Sequence, residues 1–159
     1  AAGGVGHYAV QIAKYFGAHV IGTASASNRE FVLGLGADEF IDYTNEKFED
    51  KVKDVDVIVD SVNEEHLWRS LSVVKKGGRL ISIKAHFVGE MADKAKEKEV
   101  FARRISVTSN GEDMGQIAKL LKEGRIRSHV SGKYSFKDLP KAHQQIETRK
   151  TQGKIVVSL

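Results

Sequence analysis

Cysteine is absent from this 159-residue sequence, and proline and tryptophan occur once each. Without thiols there is no disulfide framework and no thiolate metal site, which fits a reducing, cytoplasmic setting. No run of about 18 apolar residues is present, so no membrane-spanning helix is expected. Signal and lipidation patterns are also missing. With one proline and no Gly/Pro-rich tract, nothing reads as a flexible linker or a low-complexity segment. The six histidines, His7, His19, His66, His86, His129 and His143, show no metal-ligand spacing. They read as scattered or core-satisfied imidazoles, and no metal is expected. Ser25, Ser61 and Ser82 lack the Gly-x-Ser-x-Gly turn of a serine hydrolase.

The remaining composition is that of an ordinary globular domain, with 41% apolar and 29% charged residues. The net charge of +4 is spread over 25 basic residues interleaved with 21 acids. Lys94-Ala95-Lys96-Glu97-Lys98-Glu99 reads as a solvated helix face with paired charges. No basic–aromatic interleaving or reader motif accompanies the charge, so nucleic acid is not an expected partner. An anionic small ligand needs only a local basic site.

Helix and strand patterns alternate with short connections, which predicts an α/β fold with a parallel sheet covered on both faces. Val5, Ala9, Ile12, Ala13 and Phe16 recur at helical spacing, with Gly17 placed as a helix C-cap. His19–Thr23 reads as a strand. Ser27 and Glu30 suggest a capping box for a helix through Phe31, Val32 and Leu35. Glu39–Asp42 and the β-branched run Val55–Asp60 read as strands. A helix through Leu67, Leu71 and Val74 is expected to end near Lys75–Gly78, followed by a strand at Arg79–Ile83. The stretch 88–103 reads as polar helix or irregular chain, and Ile105–Ser109 as a further strand. A helix through Ile117, Leu120 and Leu121 ends at Gly124. The tail holds a helix over Leu139–Thr148 and a last strand, Lys154–Ser158.

The most informative motif is Ala1-Ala2-Gly3-Gly4-Val5-Gly6, running directly into an amphipathic helix. It matches a dinucleotide-binding fingerprint with Ala1 in place of the first glycine. Gly3 would let the backbone approach a phosphate, and Gly6 would allow close packing of the helix. Such a turn normally follows a buried strand, and none precedes Ala1. The sequence therefore reads as a nucleotide-binding domain cut from a longer protein, with its first strand outside.

An NAD-preferring site places an acid about 20 residues beyond the glycines to hold the ribose. Here that stretch is Thr23-Ala24-Ser25-Ala26-Ser27-Asn28-Arg29, without a carboxylate before Glu30. Hydroxyls, an amide and a guanidinium suit a 2′-phosphate. The plainer alternative is a helix start, capped by Ser27 with Arg29 in solvent. Tyr43, just past the next strand, adds a candidate phosphate contact. Ser61 and Val62, after the apolar strand, would border the adenosine half of the ligand. Ile83 and Lys84, after the following strand, could offer backbone to a carboxamide. Asp56 and Asp60 read as strand-edge and loop residues.

The ordered set Ala1–Gly6, Leu35-Gly36-Ala37-Asp38, Ile41-Asp42-Tyr43, Val55–Asp60, Lys76-Gly77-Gly78-Arg79-Leu80, Ala142-His143 and Gly153-Lys154-Ile155-Val156-Val157 resembles the medium-chain dehydrogenase/reductase superfamily. Within it the likeness is to the zinc-independent, quinone oxidoreductase-like branch. The resemblance spans nearly the whole sequence and implies a Rossmann-type doubly wound sheet over residues 1–128. Residues 129–159 would then return toward a catalytic domain encoded elsewhere. It further implies an NADP(H)-dependent oxidoreductase that reduces a quinone or an activated alkene (enone). Gly3, Gly4, Val5 and Gly6 carry over as the phosphate turn, and Tyr43 as a 2′-phosphate contact. The position of the family's lysine falls on Asn28, beside Arg29, which leaves open which of the two meets the phosphate. Asn63 departs from the glycine that many relatives have there. No catalytic residue is assigned, and a homodimer through the edge strand at Ile105–Ser109 is implied. A non-catalytic nucleotide-sensing module and an S-adenosylmethionine-dependent methyltransferase are the competing readings.

Overall fold

In the computed structural model, which describes residues 1–159, helices and strands alternate and every strand pair is parallel. The chain divides into two compact units, residues 1–46 with 110–159, and residues 47–109.

The first unit begins with α1 (Gly6–Tyr15), β1 (Ile21–Ala24), α2 (Arg29–Gly34) and β2 (Glu39–Asp42), and β1 pairs with β2. Gly17 follows α1 with φ +78°, and its neighbour Ala18 donates to Ala13 O, as a glycine-terminated helix requires. The face that α1 buries differs from the expected one. His7, Val10 and Gln11 are buried, whereas Val5 is half exposed and Phe16 is 77% exposed. Polar complementarity outweighs hydrophobicity at this position. Gln11 Nε2 donates to His7 O and Arg127 O, and its Oε1 accepts from Arg127 N at 2.9 Å. A fully bonded amide can be buried at little cost. The capping box does not form. Ser27 lies inside a single 3₁₀ turn, Ala26–Asn28, and Asn28 precedes α2 without a side-chain cap.

The same unit holds α5 (Gly111–Lys122), β6 (Val130–Ser135), α6 (Leu139–Glu147) and β7 (Lys154–Ser158), with β6 paired to β7. Asn110 caps α5 by accepting from the amides of Glu112 and Asp113. β6 was not expected from the sequence. Its Val130, Gly132 and Tyr134 alternate too weakly in hydrophobicity to signal a strand, and pairing with β7 supplies the order. Ala2, Val10, Ala24, Val32, Leu35 and Ala37 form this unit's apolar cluster.

The second unit contains β3 (Val55–Asp60), α3 (Glu64–Val73), β4 (Val74–Ser82), α4 (Glu90–Glu97) and β5 (Phe101–Arg104), in the sheet order β3-β4-β5. Leu67 and Leu71 of α3, Leu80 of β4, and Met91 and Ala95 of α4 pack together, with Ile58 and Ala102 beside them. Burying each leucine stabilises the unit by about 1.5–3 kcal/mol. Both helices cover one face of the sheet, and Val57 and Val59 on the other face stay half exposed. α3 ends at Val73, short of the expected end at Lys75–Gly78, and β4 starts at Val74, which pairs with Val55, and not at Arg79. The register then shifts between Val55 and Val57, and Lys75–Gly78 bulges outward around Gly77 at φ +76°. The edge strand also differs: Ile105–Ser109 is not a strand, and β5 occupies Phe101–Arg104. Its partner β4 ends at Ser82, whose carbonyl accepts from Ile105 N, so the ladder closes there.

Candidate functional site

The glycine turn leads into α1 in the first unit. His7 N donates to Gly3 O, and the amides of Tyr8 and Ala9 donate to Val5 O. The N–H groups of Gly4, Val5 and Gly6 meet no acceptor within the chain. Three unsatisfied amides at the positive end of a helix form a site for an anion. A Cβ on Gly3 would meet nothing within 4 Å, so this side of the turn is open. A Cβ on Gly6 would lie 2.5 Å from Ala1 O, so here the helix approaches the backbone as closely as only glycine allows.

Lys154, which sequence reasoning did not single out, comes to the same turn. A Cβ on Gly4 would lie 3.3 Å from Lys154 Nζ and 3.3 Å from Gly153 O. Gly153 N donates to Ala2 O at 2.9 Å and Lys154 N to His129 O at 2.8 Å, which docks the start of β7 against the turn. A lysine so distant in sequence carries no local signal of this placement; the close approach to Gly4 and the bond from Gly153 N to Ala2 O show it. His7, fully buried behind the turn, holds Gly3 O through Nδ1 at 3.0 Å. Burial lowers its pKa from the ordinary 6.5, an effect partly offset by the bond to Gly3 and reinforced by the charges of Lys154 and His129.

At the carboxyl ends of β1 and β2 the structure gathers Ser25, Asn28 and Tyr43. Asn28 Nδ2 donates to Ser25 Oγ at 2.7 Å, and Asn28 Oδ1 accepts from Gln152 Nε2 at 2.7 Å. Tyr43 N donates to Ala24 O, and its side chain is largely exposed at the end of the ladder. Arg29 is directed elsewhere, with its guanidinium 5.4 Å from the centre of the Phe40 ring. Asp42 brings a carboxylate to this end of the sheet from the neighbouring strand, opposite Ala24. It is satisfied locally: Thr44 donates through Oγ1 and N, and Asn45 through Nδ2. The Thr44 hydroxyl foremost, with the other donors, holds its pKa below the ordinary carboxylate value.

In the second unit, Ser61, Val62, Ile83 and Lys84 come together at the carboxyl ends of β3 and β4. The Asp60 carboxylate accepts from Val62 N at 2.9 Å, and Asp60 O accepts from Ile83 N at 3.0 Å. Ser82 Oγ, fully buried, accepts from the amides of Lys84 and Ala85. Buried polar side chains therefore fix both loops, and the exposed positions beyond them face outward. No group of three His, Asp or Glu side chains is arranged to hold a metal ion.

Comparison with known proteins adds family information. The sequence pattern of the family described as zinc-binding dehydrogenase matches residues 35–157. The 2-methylene-furan-3-one reductase of Solanum lycopersicum is 36% identical over 160 residues, covering 98% of this chain and 38% of that protein. The chloroplastic NADPH-dependent alkenal/one oxidoreductase of Arabidopsis thaliana is 32% identical, covering 98% of this chain and 38% of its own length. Among solved structures, the quinone oxidoreductase of Coxiella burnetii superposes with a TM-score of 0.91 at 33% identity, covering 99% of this chain and 50% of that one. The Escherichia coli quinone oxidoreductase complexed with NADPH gives 0.86 at 30% identity, with 99% and 55% covered. The chain thus spans about half the length, or less, of these relatives.

Proposed function

The chain belongs to the zinc-binding dehydrogenase family, within the medium-chain dehydrogenase/reductases, and from that premise we propose that it is the NADPH-binding part of an oxidoreductase reducing a quinone or an enone. One observation carries this reading: the three unsatisfied amides of Gly4, Val5 and Gly6 at the start of α1, with the Lys154 ammonium beside them. Backbone donors and a lysine at a helix N-terminus suit a pyrophosphate, and the space over Gly3 admits it. The site therefore fits a dinucleotide.

When bound, the nicotinamide supplies a hydride to an electrophilic substrate. The residues of this chain bind and orient it. The turn and Lys154 hold the pyrophosphate. Ser25, Asn28, Arg29 and Tyr43 take the 2′-phosphate, a role favoured by the absence of an acid at the end of β1 and by the local satisfaction of Asp42. Ser61 and Val62 border the adenosine side, and the backbone of Ile83 and Lys84 meets the carboxamide. The reading extends to a zinc-independent reaction and to a cytoplasmic enzyme. It also includes a homodimer formed through β5, one of the two edges of the β3-β4-β5 sheet and the strand that leads into Ile105–Ser109. The quinone and enone substrates follow from the named activities of the similar proteins.

Titrating the whole protein with NADPH and NADH, followed by nicotinamide fluorescence, tests this. Tighter binding of NADPH is the expected result and justifies assaying quinones and enones. A preference for NADH overturns the 2′-phosphate assignment, and binding of neither overturns the cofactor.

A further inference from the structure

Asp60 ends β3 with its side chain 2% exposed, so its carboxylate needs partners from within the protein. Only two side-chain bonds serve it. Oδ1 accepts the amide of Val62 at 2.9 Å, and Oδ2 meets His66 Nδ1 at 2.9 Å. His66 sits in the first turn of α3 and is itself held from two other directions. Its backbone amide donates to Asn63 Oδ1, the cap of α3, at 2.9 Å. Its ring packs against Phe48, with centroids 5.1 Å apart. Phe48 is in turn buried under the Arg69 guanidinium, which grips Glu49 with two bonds of 2.7 Å.

Helix α3, the 3₁₀ turn Phe48–Asp50 and strand β3 thus converge on one imidazole, whose single contact toward the loop is the Asp60 carboxylate. We propose that His66 is a positioning residue for the cofactor: through Asp60 it fixes the Ser61–Val62 loop in the conformation presented to the dinucleotide. This rests on the reading that Ser61 and Val62 border the cofactor. His66 touches no cofactor atom in this role. With Nδ1 bonded to Oδ2, the carboxylate is turned so that Oδ1 lies under the Val62 amide. Without that bond the buried carboxylate is held by the Val62 amide alone, and the tether on the loop weakens. The effect then falls on cofactor affinity and not on the chemical step.

Two near-isosteric substitutions separate positioning from mere filling. In His66→Asn the side-chain amide nitrogen takes the place of Nδ1 and keeps the donor to Asp60. In His66→Gln the amide reaches the place of Nε2 and leaves Asp60 without it. In the whole protein, His66→Gln is expected to raise the NADPH dissociation constant about tenfold and to speed hydrogen exchange at the Val62 amide by a similar factor, with kcat nearly unchanged. His66→Asn is expected to stay within about threefold of the parent in both. Identical behaviour of the two variants, or an unmoved Val62 exchange rate in His66→Gln, overturns the proposal. If the parent protein binds no NADPH, the cofactor reading itself fails, and the positioning role falls with it. If the parent binds NADPH and His66→Gln binds it equally well, the positioning role alone is lost.

Discussion

Two basic residues of the first unit make separable demands on a bound dinucleotide. Lys154 lies at the glycine turn, beside a group that NADH and NADPH share. Lys154→Ala is therefore expected to weaken both cofactors alike, by about 1–2 kcal/mol, the scale of an exposed charge-assisted hydrogen bond. Arg29 is assigned to the group that only NADPH carries. Its guanidinium rests over Phe40, an interaction it must give up to reach a phosphate. Arg29→Ala is expected to cost NADPH about 1.5–3 kcal/mol and to leave NADH nearly unchanged. Parallel titrations of the two variants decide this. An equal loss of both cofactors in Arg29→Ala would place that residue in the fold, and no loss would leave Ser25, Asn28 and Tyr43 with the phosphate.

At the scale of elements, α1 and its turn make glycines that look alike in the sequence play opposite parts. Gly6→Ala would drive a Cβ to 2.5 Å from Ala1 O, and backbone there cannot yield as a flexible side chain would. The helix must move, so a lower melting temperature and loss of cofactor binding are expected together. Gly3→Ala places its Cβ in open space, so the melting temperature should hold while the cofactor weakens, because the methyl enters the space a phosphate needs. A stable Gly6→Ala protein that binds normally would contradict the packing argument. The sequence made much of this region legible. The Gly-Gly-x-Gly pattern, Gly17 as a C-cap, β2 and the start of β3 follow from local chemistry that tertiary contacts do not override. The buried face of α1 does not follow, because Gln11 and His7 become buried only through bonds to Arg127 and to the turn. β6 takes its order from pairing with β7, and Lys154 its place from contacts with the turn at the other end of the chain, and neither is written in the local pattern. The end of β5 is set by where β4 stops, so the strand expected at Ile105–Ser109 lies outside the ladder.

For the whole molecule, the groups with shifted pKa values predict how stability responds to acid. His7 has a folded-state pKa below 6.5, because burial disfavours its charged form. Between that lowered value and 6.5 the unfolded chain binds the proton more readily than the folded one, so stability declines as the pH drops through this window. The carboxylates act lower on the scale. Asp38, held by Lys14 and the Val20 amide, Asp42, held foremost by Thr44, and Glu49, held foremost by Arg69, all have pKa values below their ordinary 3.8 or 4.5. Their stabilisation is complete above those ordinary values and is lost as the pH falls through the lowered ones. Over the same range the loss of these carboxylate charges adds to a net charge that is already +4, so self-repulsion grows in the direction of unfolding. Melting temperatures between pH 8 and pH 3 should accordingly fall in two stages, a shallow one beginning just below 6.5 and a steeper one below about 4. His7→Asn places an amide nitrogen where Nδ1 lies and so keeps a donor to Gly3 O, but it cannot titrate, so it should abolish the first stage and leave the second. A first stage that survives this substitution would assign the near-neutral loss of stability to a group other than His7.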